Sequence, residues 1–435
     1  MTRREPHAEP GAEAPRGSPR LERANAGARP PLKLAGIEAG RPLLGPETVH
    51  IDVTNGCNTN CITCWDHSPL LHAPRLAAWK RQRVEAEAVE ALLDDVRSLG
   101  GLTAVILSGM GDPFTHPEIY RLIGAVKSRG LHVTLITNLI PADPARVLEH
   151  GVDQLLIGVH AATKGPYRAF HPSFKGDEWA RLLGMLRRFQ AAGRRYKHVQ
   201  VVSRVNCHEL VEMVRFAGEY SAAQVNFKLA SLRDGTEACR ITEEQRRALA
   251  EDLVPAAREL AATLGVSHNL DVFADQLRAG GAATAAIADI GCFMGYVYSR
   301  ILVDGTVLYC CNTDVAVGTL AAGARFSELW TGEAWSALRA RMRRGDYFES
   351  CNQCGKLNQN VKLARRFAGV YGEARLREVT GRGDAAQAVL GPDRAAAKAL
   401  GAPAPGAPSQ PAHPAGALLS SAALVRTRAI AVRSR

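Results

Sequence analysis

The chain has 435 residues, of which 46% are hydrophobic and 22% charged, with a formal net charge of +11. That length accommodates one large domain plus a small one, and that apolar content fills an ordinary globular core. No apolar run reaches the roughly 18 residues of a membrane-spanning helix, and the N-terminal MTRREPHAEPGAEAPRG has no apolar signal core.

Ten cysteines without an export signal point to metal or catalytic chemistry in a cytoplasmic protein, not to a disulfide framework. The excess positive charge crowds the two ends, as in the closing VRTRAIAVRSR. No aromatic-interleaved basic stripe accompanies it, so solvated tails are expected, with no membrane contact and no nucleic-acid partner.

Residues 1–44 are rich in Pro, Gly, Ala, Arg and Glu and show no periodicity, which predicts disorder. Short apolar runs then alternate with helical stretches. Strands are expected at 48–53, 103–108, 132–137, 154–159, 198–205 and 224–229, each nearly continuous in Val, Ile and Leu, as strands buried on both faces are. Between them fall helices at 84–100, 117–130, 176–193 and 208–220, followed by one at 242–265. Six strand–helix units imply an α/β fold, a partial (β/α)6 TIM-like barrel over 45–270, with ligands bound in the loops after the strands. A small cysteine-rich domain is expected over 285–366. A low-complexity tail follows over 370–435, mostly disordered, with a short helix before its Pro run.

The loop after the first strand reads CNTNCITC and carries Cys57, Cys61 and Cys64. Three thiolates can hold three corners of a cubane iron–sulfur cluster and leave the fourth iron open to a substrate, as catalytic metal sites do. The alternatives are zinc completed by His67 or His72, and coincidence.

CNTNCITC resembles the CxxxCxxC signature of the radical S-adenosylmethionine (SAM) enzymes, at the strand end where that family carries it. The resemblance implies that the open iron of a 4Fe–4S cluster chelates SAM. SAM is then cleaved reductively to a 5′-deoxyadenosyl radical, which takes a hydrogen atom from the substrate. Where the family often has an aromatic residue before the third cysteine, this chain has Thr63, with Trp65 after Cys64.

After the second strand, LSGMGDPFTHP resembles the family's GxGEP segment with Asp112 for Glu. Gly109 and Gly111 allow a close backbone approach, Pro113 stiffens the turn, and exposed carbonyls with a carboxylate suit the amino group of SAM. Asn138 ends the third strand, and Arg204 and Asn206 end the fifth. These three complete the expected SAM contacts, and no further catalytic residue is assigned.

A second cysteine group comprises Cys292, Cys310, Cys351 and Cys354. Cys292 and Cys310 flank a hairpin turning at Asp304-Gly305, and Cys351-x2-Cys354 follows about 40 residues later. By spacing alone, four thiolates fit structural zinc as well as an iron–sulfur cluster. The order Cys292, Gly305-x4-Cys310, SELWTGEAWSALR, Cys351-x2-Cys354 resembles the twitch form of the SPASM domain, which implies one auxiliary 4Fe–4S cluster. The Gly-x4-Cys spacing favours Cys310 over its neighbour Cys311. Cys207 and Cys239 carry no motif and are expected to be buried.

An auxiliary cluster favours a net oxidation or a rearrangement. The expected substrate is a small molecule or sugar in a biosynthetic pathway. A ribosomal peptide or protein is the alternative, set back because only about 44 low-complexity residues precede the barrel where many peptide-modifying relatives carry a binding domain. Electrons would come from a flavodoxin or ferredoxin. The remote alternatives are an electron carrier and a zinc-stabilised binding protein.

Overall fold

Seven parallel strands line up in chain order: β1 Thr48–Asp52, β2 Ala104–Ser108, β3 His132–Thr137, β4 Gln154–Gly158, β5 Lys197–Val202, β6 Gln224–Leu229 and β7 Ser267–His268. The coordinates are a computed structural model and describe residues 31–280, 285–313, 315–320 and 323–381. Helices cross between successive strands. The Ala86–Ser98 helix buries Val89, Leu92, Leu93 and Val96 on one face, the stripe its sequence spacing requires. Val49 and Ile51 of β1, with Val105 and Leu107 of β2, are sealed beneath such helices. The expected six-unit barrel is therefore present, with β7 as an added strand of two residues, too short to register as a pattern.

The helix expected over 242–265 is divided. Glu243–Ala248 and Val254–Leu264 flank a π turn at Leu249–Leu253. Pro255 explains the break, because it donates no backbone hydrogen bond and its ring crowds the carbonyl four residues back.

The expected hairpin forms from β8 Tyr298–Ile301 and β9 Thr306–Leu308, with Gly305 at φ +83° in the turn. It does not stand apart from the barrel. β8 pairs in parallel with β1, β9 and then β10 (Ala316–Thr319) add antiparallel, and one ten-stranded sheet runs β10-β9-β8-β1-β2-β3-β4-β5-β6-β7. Two cross-strand side-chain ties fix the seam. His50 bridges the Tyr298 hydroxyl (2.9 Å) and the Ser108 hydroxyl (2.8 Å), and Arg300 donates to both oxygens of Asp52 (3.0 and 2.8 Å).

Beside the hairpin, Phe326–Thr331 and Glu333–Arg343 pack Trp330 and Trp335 around a fully buried Arg339, which donates to the carbonyls of Gly295 and Trp330 (both 2.8 Å).

Disorder expected through residue 44 does not extend that far. Leu32–Ala39 is a helix that buries Leu34 and Ile37 against the core. Eight residues among Pro and Gly give too little periodicity to be seen in advance. At the other end, Leu357–Tyr371 and Glu373–Thr380 are helical, so order continues past residue 370. The rest of the tails expected to be disordered, 1–30 and 382–435, lies outside the described residues. Among the described residues no helix is long and apolar enough to cross a membrane.

Candidate active site and the two cysteine groups

The Cys57–Cys64 loop leaves the end of β1 and is held from several sides. Ile62 donates its amide to the Phe170 carbonyl (3.0 Å), and Ser68 and Cys239 both donate to the Ile62 carbonyl (2.8 and 3.6 Å). Cys239 is thus the buried anchor under the loop, not part of a site of its own. Cys207 is likewise buried. His67 does not face the thiols. Its ring bonds the Asn55 carbonyl (2.9 Å) and also reaches the Met110 backbone, tying this loop to the next, while His72 is solvent-exposed. Neither histidine is placed to complete a zinc site.

The Gly109–Pro113 turn packs directly on the cysteine loop. A β-carbon on Gly109 would lie 2.2 Å from the Thr54 carbonyl oxygen, and one on Gly111 would lie 1.7 Å from that of Gly56. The glycines are required because two backbones touch there, a reason distinct from the ligand approach inferred from sequence. Asp112 is also committed within the fold. Its carboxylate accepts from the Phe114 amide (3.0 Å), the Asn138 amide (2.7 Å) and the Thr137 hydroxyl (2.8 Å). It clamps the loops after β2 and β3 together, and burial pushes its carboxyl up to about 6. Pro113 opens the short 3-10 turn that Asp112 caps. The Asn138 side chain exchanges hydrogen bonds with Asn58 (2.8 and 3.3 Å), which links β3 to the cysteine loop.

The two residues expected at the end of β5 lie differently. Asn206 is fully buried and spends its side chain on the carbonyls of His160 (2.7 Å) and Val201 (2.9 Å) and on the Ser203 amide (2.7 Å). Arg204 is exposed and donates to the Ala238 carbonyl (3.2 Å). The fold therefore gathers Gly109, Gly111, Asp112, Pro113 and Asn138 around the three cysteines and leaves Arg204 and Asn206 engaged with the β4–β5 and 236–239 backbone.

The second group converges across the hairpin. Two asparagines, missed from sequence, tie it. Asn312 donates to the Ser350 hydroxyl (2.7 Å), and the buried Asn360 accepts the Phe293 amide (2.8 Å) while donating to the Cys354 sulfur (3.8 Å). Cys311 was passed over in favour of Cys310, yet both line the same cavity as Cys292, Cys351 and Cys354. Cys311 Sγ sits 3.0 Å from where a β-carbon on Gly355 would be. The Cys310 thiol donates to the Cys311 sulfur, which pushes Cys310 up and holds Cys311 below the ordinary thiol range.

A cavity of about 870 Å³ opens over the auxiliary thiols, and the chain just past Cys64 reaches it through Trp65 and Asp66, while Cys57, Cys61 and Cys64 themselves do not line it. Asn55, Trp65 and Met110 line it from the barrel loops, and the five auxiliary cysteines line it from the hairpin side. Trp65 turns away from the Cys57–Cys64 loop: its indole donates to the Ser231 carbonyl (2.6 Å) and Arg233 stacks on it at 3.9 Å. Arg300, paired with the fully buried Asp52, also touches Met110 Sδ (3.6 Å). Burial pushes the Asp52 carboxyl up, and Arg300 draws it back. Lys356 lays its ammonium over the Tyr298 ring at 3.8 Å. Burial lowers it, and the Cys311 and Cys310 thiols raise it.

Both thiol sets suit iron–sulfur clusters. Burial pushes Cys57 up to about 12 and raises Cys61 and Cys64, so three thiolates persist together only against a cationic core. Burial likewise pushes Cys292 to about 12 and raises Cys351 and Cys354. Among the described residues no three His, Cys, Asp or Glu side chains gather tightly enough to grip a single metal ion. A cubane, whose thiolates stand at the corners of a larger core, makes no such demand.

The radical SAM superfamily model matches residues 51–217, and an iron–sulfur cluster-binding domain, SPASM, matches 292–355. The first match contains all three loop cysteines, and the second runs from Cys292 to just past Cys354. The chain is a radical SAM enzyme with a C-terminal SPASM domain. Its cofactors are a 4Fe–4S cluster that works with SAM, SAM itself and an auxiliary cluster.

Curated relatives are distant. The AdoMet-dependent heme synthase of Methanosarcina barkeri is 26% identical over 182 residues, 41% of this chain and 48% of that protein. The mouse (Mus musculus) S-adenosyl-L-methionine-dependent tRNA 4-demethylwyosine synthase is 28% identical over 191 residues, 39% of this chain and 26% of that protein. The alignments thus span about half of the first relative and a quarter of the second. Among solved structures, Streptococcus suis SuiB bound to S-adenosylmethionine superposes with TM-score 0.53 at 14% identity, covering 70% of each chain. Native anSMEcpe with bound AdoMet gives 0.53 at 15%, covering 77% of this chain and 99% of that one. These last two establish the shared fold of barrel and cysteine-rich extension.

Proposed function

We propose that this radical SAM enzyme oxidises a small molecule held in the cavity that its auxiliary cysteines line and that Trp65 and Asp66, just past Cys64, help to close. Cys57, Cys61 and Cys64 would hold the SAM-binding cluster, and Cys292, Cys310, Cys351 and Cys354 the auxiliary one. When bound, these groups supply reductive cleavage of SAM to a 5′-deoxyadenosyl radical on one side and an electron acceptor on the other. The chain's own part is positional. The glycine turn, the Asp112 clamp and the Asn58–Asn138 pair hold the first loop against the ends of β2 and β3. Asn312 and Asn360 hold the second thiol set. Trp65, Trp79, Met110 and Phe348 give the cavity apolar walls that limit water.

The observation that carries this reading is the cavity itself: about 870 Å³, lined by the auxiliary cysteines and by Trp65 and Asp66 just past Cys64, in the range of small-molecule sites. A peptide is the second reading. It is favoured by the partly exposed Trp65, which lines the cavity, by the exposed Leu70 and Leu76 further along the same segment, and by the peptide complexes of SuiB and anSMEcpe. A flavodoxin or ferredoxin would supply the reducing electron.

The deciding experiment adds fractions of a cell extract to the anaerobically reconstituted enzyme with SAM and reductant, and reads 5′-deoxyadenosine. A small-molecule substrate predicts stimulation by a dialysable, protease-resistant fraction. Stimulation that protease destroys would replace this reading with the peptide one.

A further inference from the structure

The cavity that the auxiliary thiols line also holds basic side chains, and one of them, Lys356, follows the last cysteine of the group closely in sequence. Lys356 follows Cys354 by two residues. Gly355 turns the chain directly beneath the Cys311 sulfur, and from there the Lys356 side chain runs back over the Tyr298 ring into the cavity. The cavity's two buried carboxylates are already matched, Asp52 with Arg300 (2.8 Å) and Asp66 with Arg75 (2.8 Å). Among the described residues no carboxylate lies within ion-pair distance of Lys356. Lys356 lines the same cavity as Cys292, Cys310, Cys351 and Cys354.

Two further features point the same way. Lys356 is the N-cap of the 15-residue Leu357–Tyr371 helix, so the positive end of that helix opens within three residues of Cys354. The Asn360 amide also donates to the Cys354 sulfur (3.8 Å).

A buried cation without a carboxylate is costly unless another anion stands against it. Here that anion is the thiolate set and whatever core it holds. Positive charge and hydrogen bonds at a cluster's sulfurs favour its reduced form, which carries one more negative charge. We propose that Lys356 sets the redox poise of the auxiliary site: its half-buried ammonium raises the reduction potential of a cluster held by Cys292, Cys310, Cys351 and Cys354. The site is thereby tuned to accept an electron from the cavity side, where Lys356 stands. Lys356 acts as a positioning residue, through the cluster and not on substrate. The inference rests on the auxiliary-cluster assignment above.

The test uses the full chain with Cys57, Cys61 and Cys64 changed to Ala, so that the auxiliary cluster alone is read. Iron and sulfide are counted first. A parent without iron would remove the cluster assignment, and the role of Lys356 that rests on it would fall with it, whereas a parent with iron lets the two fail separately. With about four irons in the parent, an EPR-monitored redox titration compares Lys356→Gln, Lys356→Arg and, as a control on the same helix, the exposed Lys362→Gln. Lys356→Gln should shift the midpoint to more negative potential, while Lys356→Arg and Lys362→Gln stay at the parent value. An unchanged or raised midpoint in Lys356→Gln overturns the proposal. An equal fall in Lys356→Arg does so too, because it would mean that packing and not charge mattered. Loss of iron from Lys356→Gln would make the residue structural and overturn it as well.

Discussion

The two cysteine groups are built in opposite ways. Cys57, Cys61 and Cys64 come from eight consecutive residues, and the surrounding fold only has to clamp one loop. Cys292, Cys310, Cys311, Cys351 and Cys354 come from three segments that a hairpin, two helices and two asparagines must bring together. The first group should therefore survive damage to the second far better than the second survives loss of its ties. What joins them is the β1–β8 seam, where Asp52 and Arg300 place the hairpin against the barrel.

The sharpest break of this comparison is chemical. Changing Cys57, Cys61 and Cys64 together to Ala should abolish 5′-deoxyadenosine formation and lower iron from about eight to about four per chain. Loss of all iron would show that the two groups do not form independently.

Gly111→Ala comes next, because its new carbon would fall 1.7 Å from the Gly56 carbonyl oxygen. Overpacking of this kind costs about 1–3 kcal/mol or more. SAM cleavage should drop steeply while the auxiliary iron remains, as read by iron content beside activity.

Asn360→Leu makes the reciprocal cut. It strands the buried Phe293 amide at about 1–3 kcal/mol, so the auxiliary cluster should be lost first and SAM cleavage retained. An auxiliary cluster as robust as in the parent protein would show that Asn360 is not the tie.

The smallest effect is a pH dependence within the barrel wall. Burial holds His171 near 4 and His198 near 3, below the ordinary 6.5 of an unfolded chain. The unfolded state then binds more protons, so stability is full above pH 6.5 and falls as pH drops toward those folded values. Each histidine contributes up to about 1.4 kcal/mol per pH unit. Thermal melts between pH 7 and pH 5 should show that slope, and His198→Phe should flatten it.

Much of the first site was legible because its signal is local. Three cysteines at fixed spacing after an apolar strand, then a glycine turn after the next strand, name both the loop and its neighbour. The roles inside that neighbourhood were not legible. Asp112 and Asn206 carry groups suited to a ligand, but the fold spends them on backbone amides and carbonyls that would otherwise be buried unpaired. At the auxiliary site, the Gly-x4-Cys spacing marked Cys310 but could not show that Cys311 faces the same cavity. Nor could it show that Lys356, one of several lysines, lines that cavity with both.

By itself, the sequence determined the strand–helix alternation, the parallel barrel, the hairpin and the two cysteine patterns. Each of these rests on side-chain periodicity or covalent spacing within a few tens of residues. Only the tertiary structure decided that β8 pairs with β1 to make one ten-stranded sheet, and that the auxiliary thiols share a cavity with Trp65 and Asp66 just past Cys64. It also decided that Lys356 and Arg300 line that cavity. Those outcomes depend on contacts between residues as much as 250 positions apart, such as Asp52 with Arg300 at a separation of 248. The free energy of such contacts comes from burial and pairing, which no local pattern records.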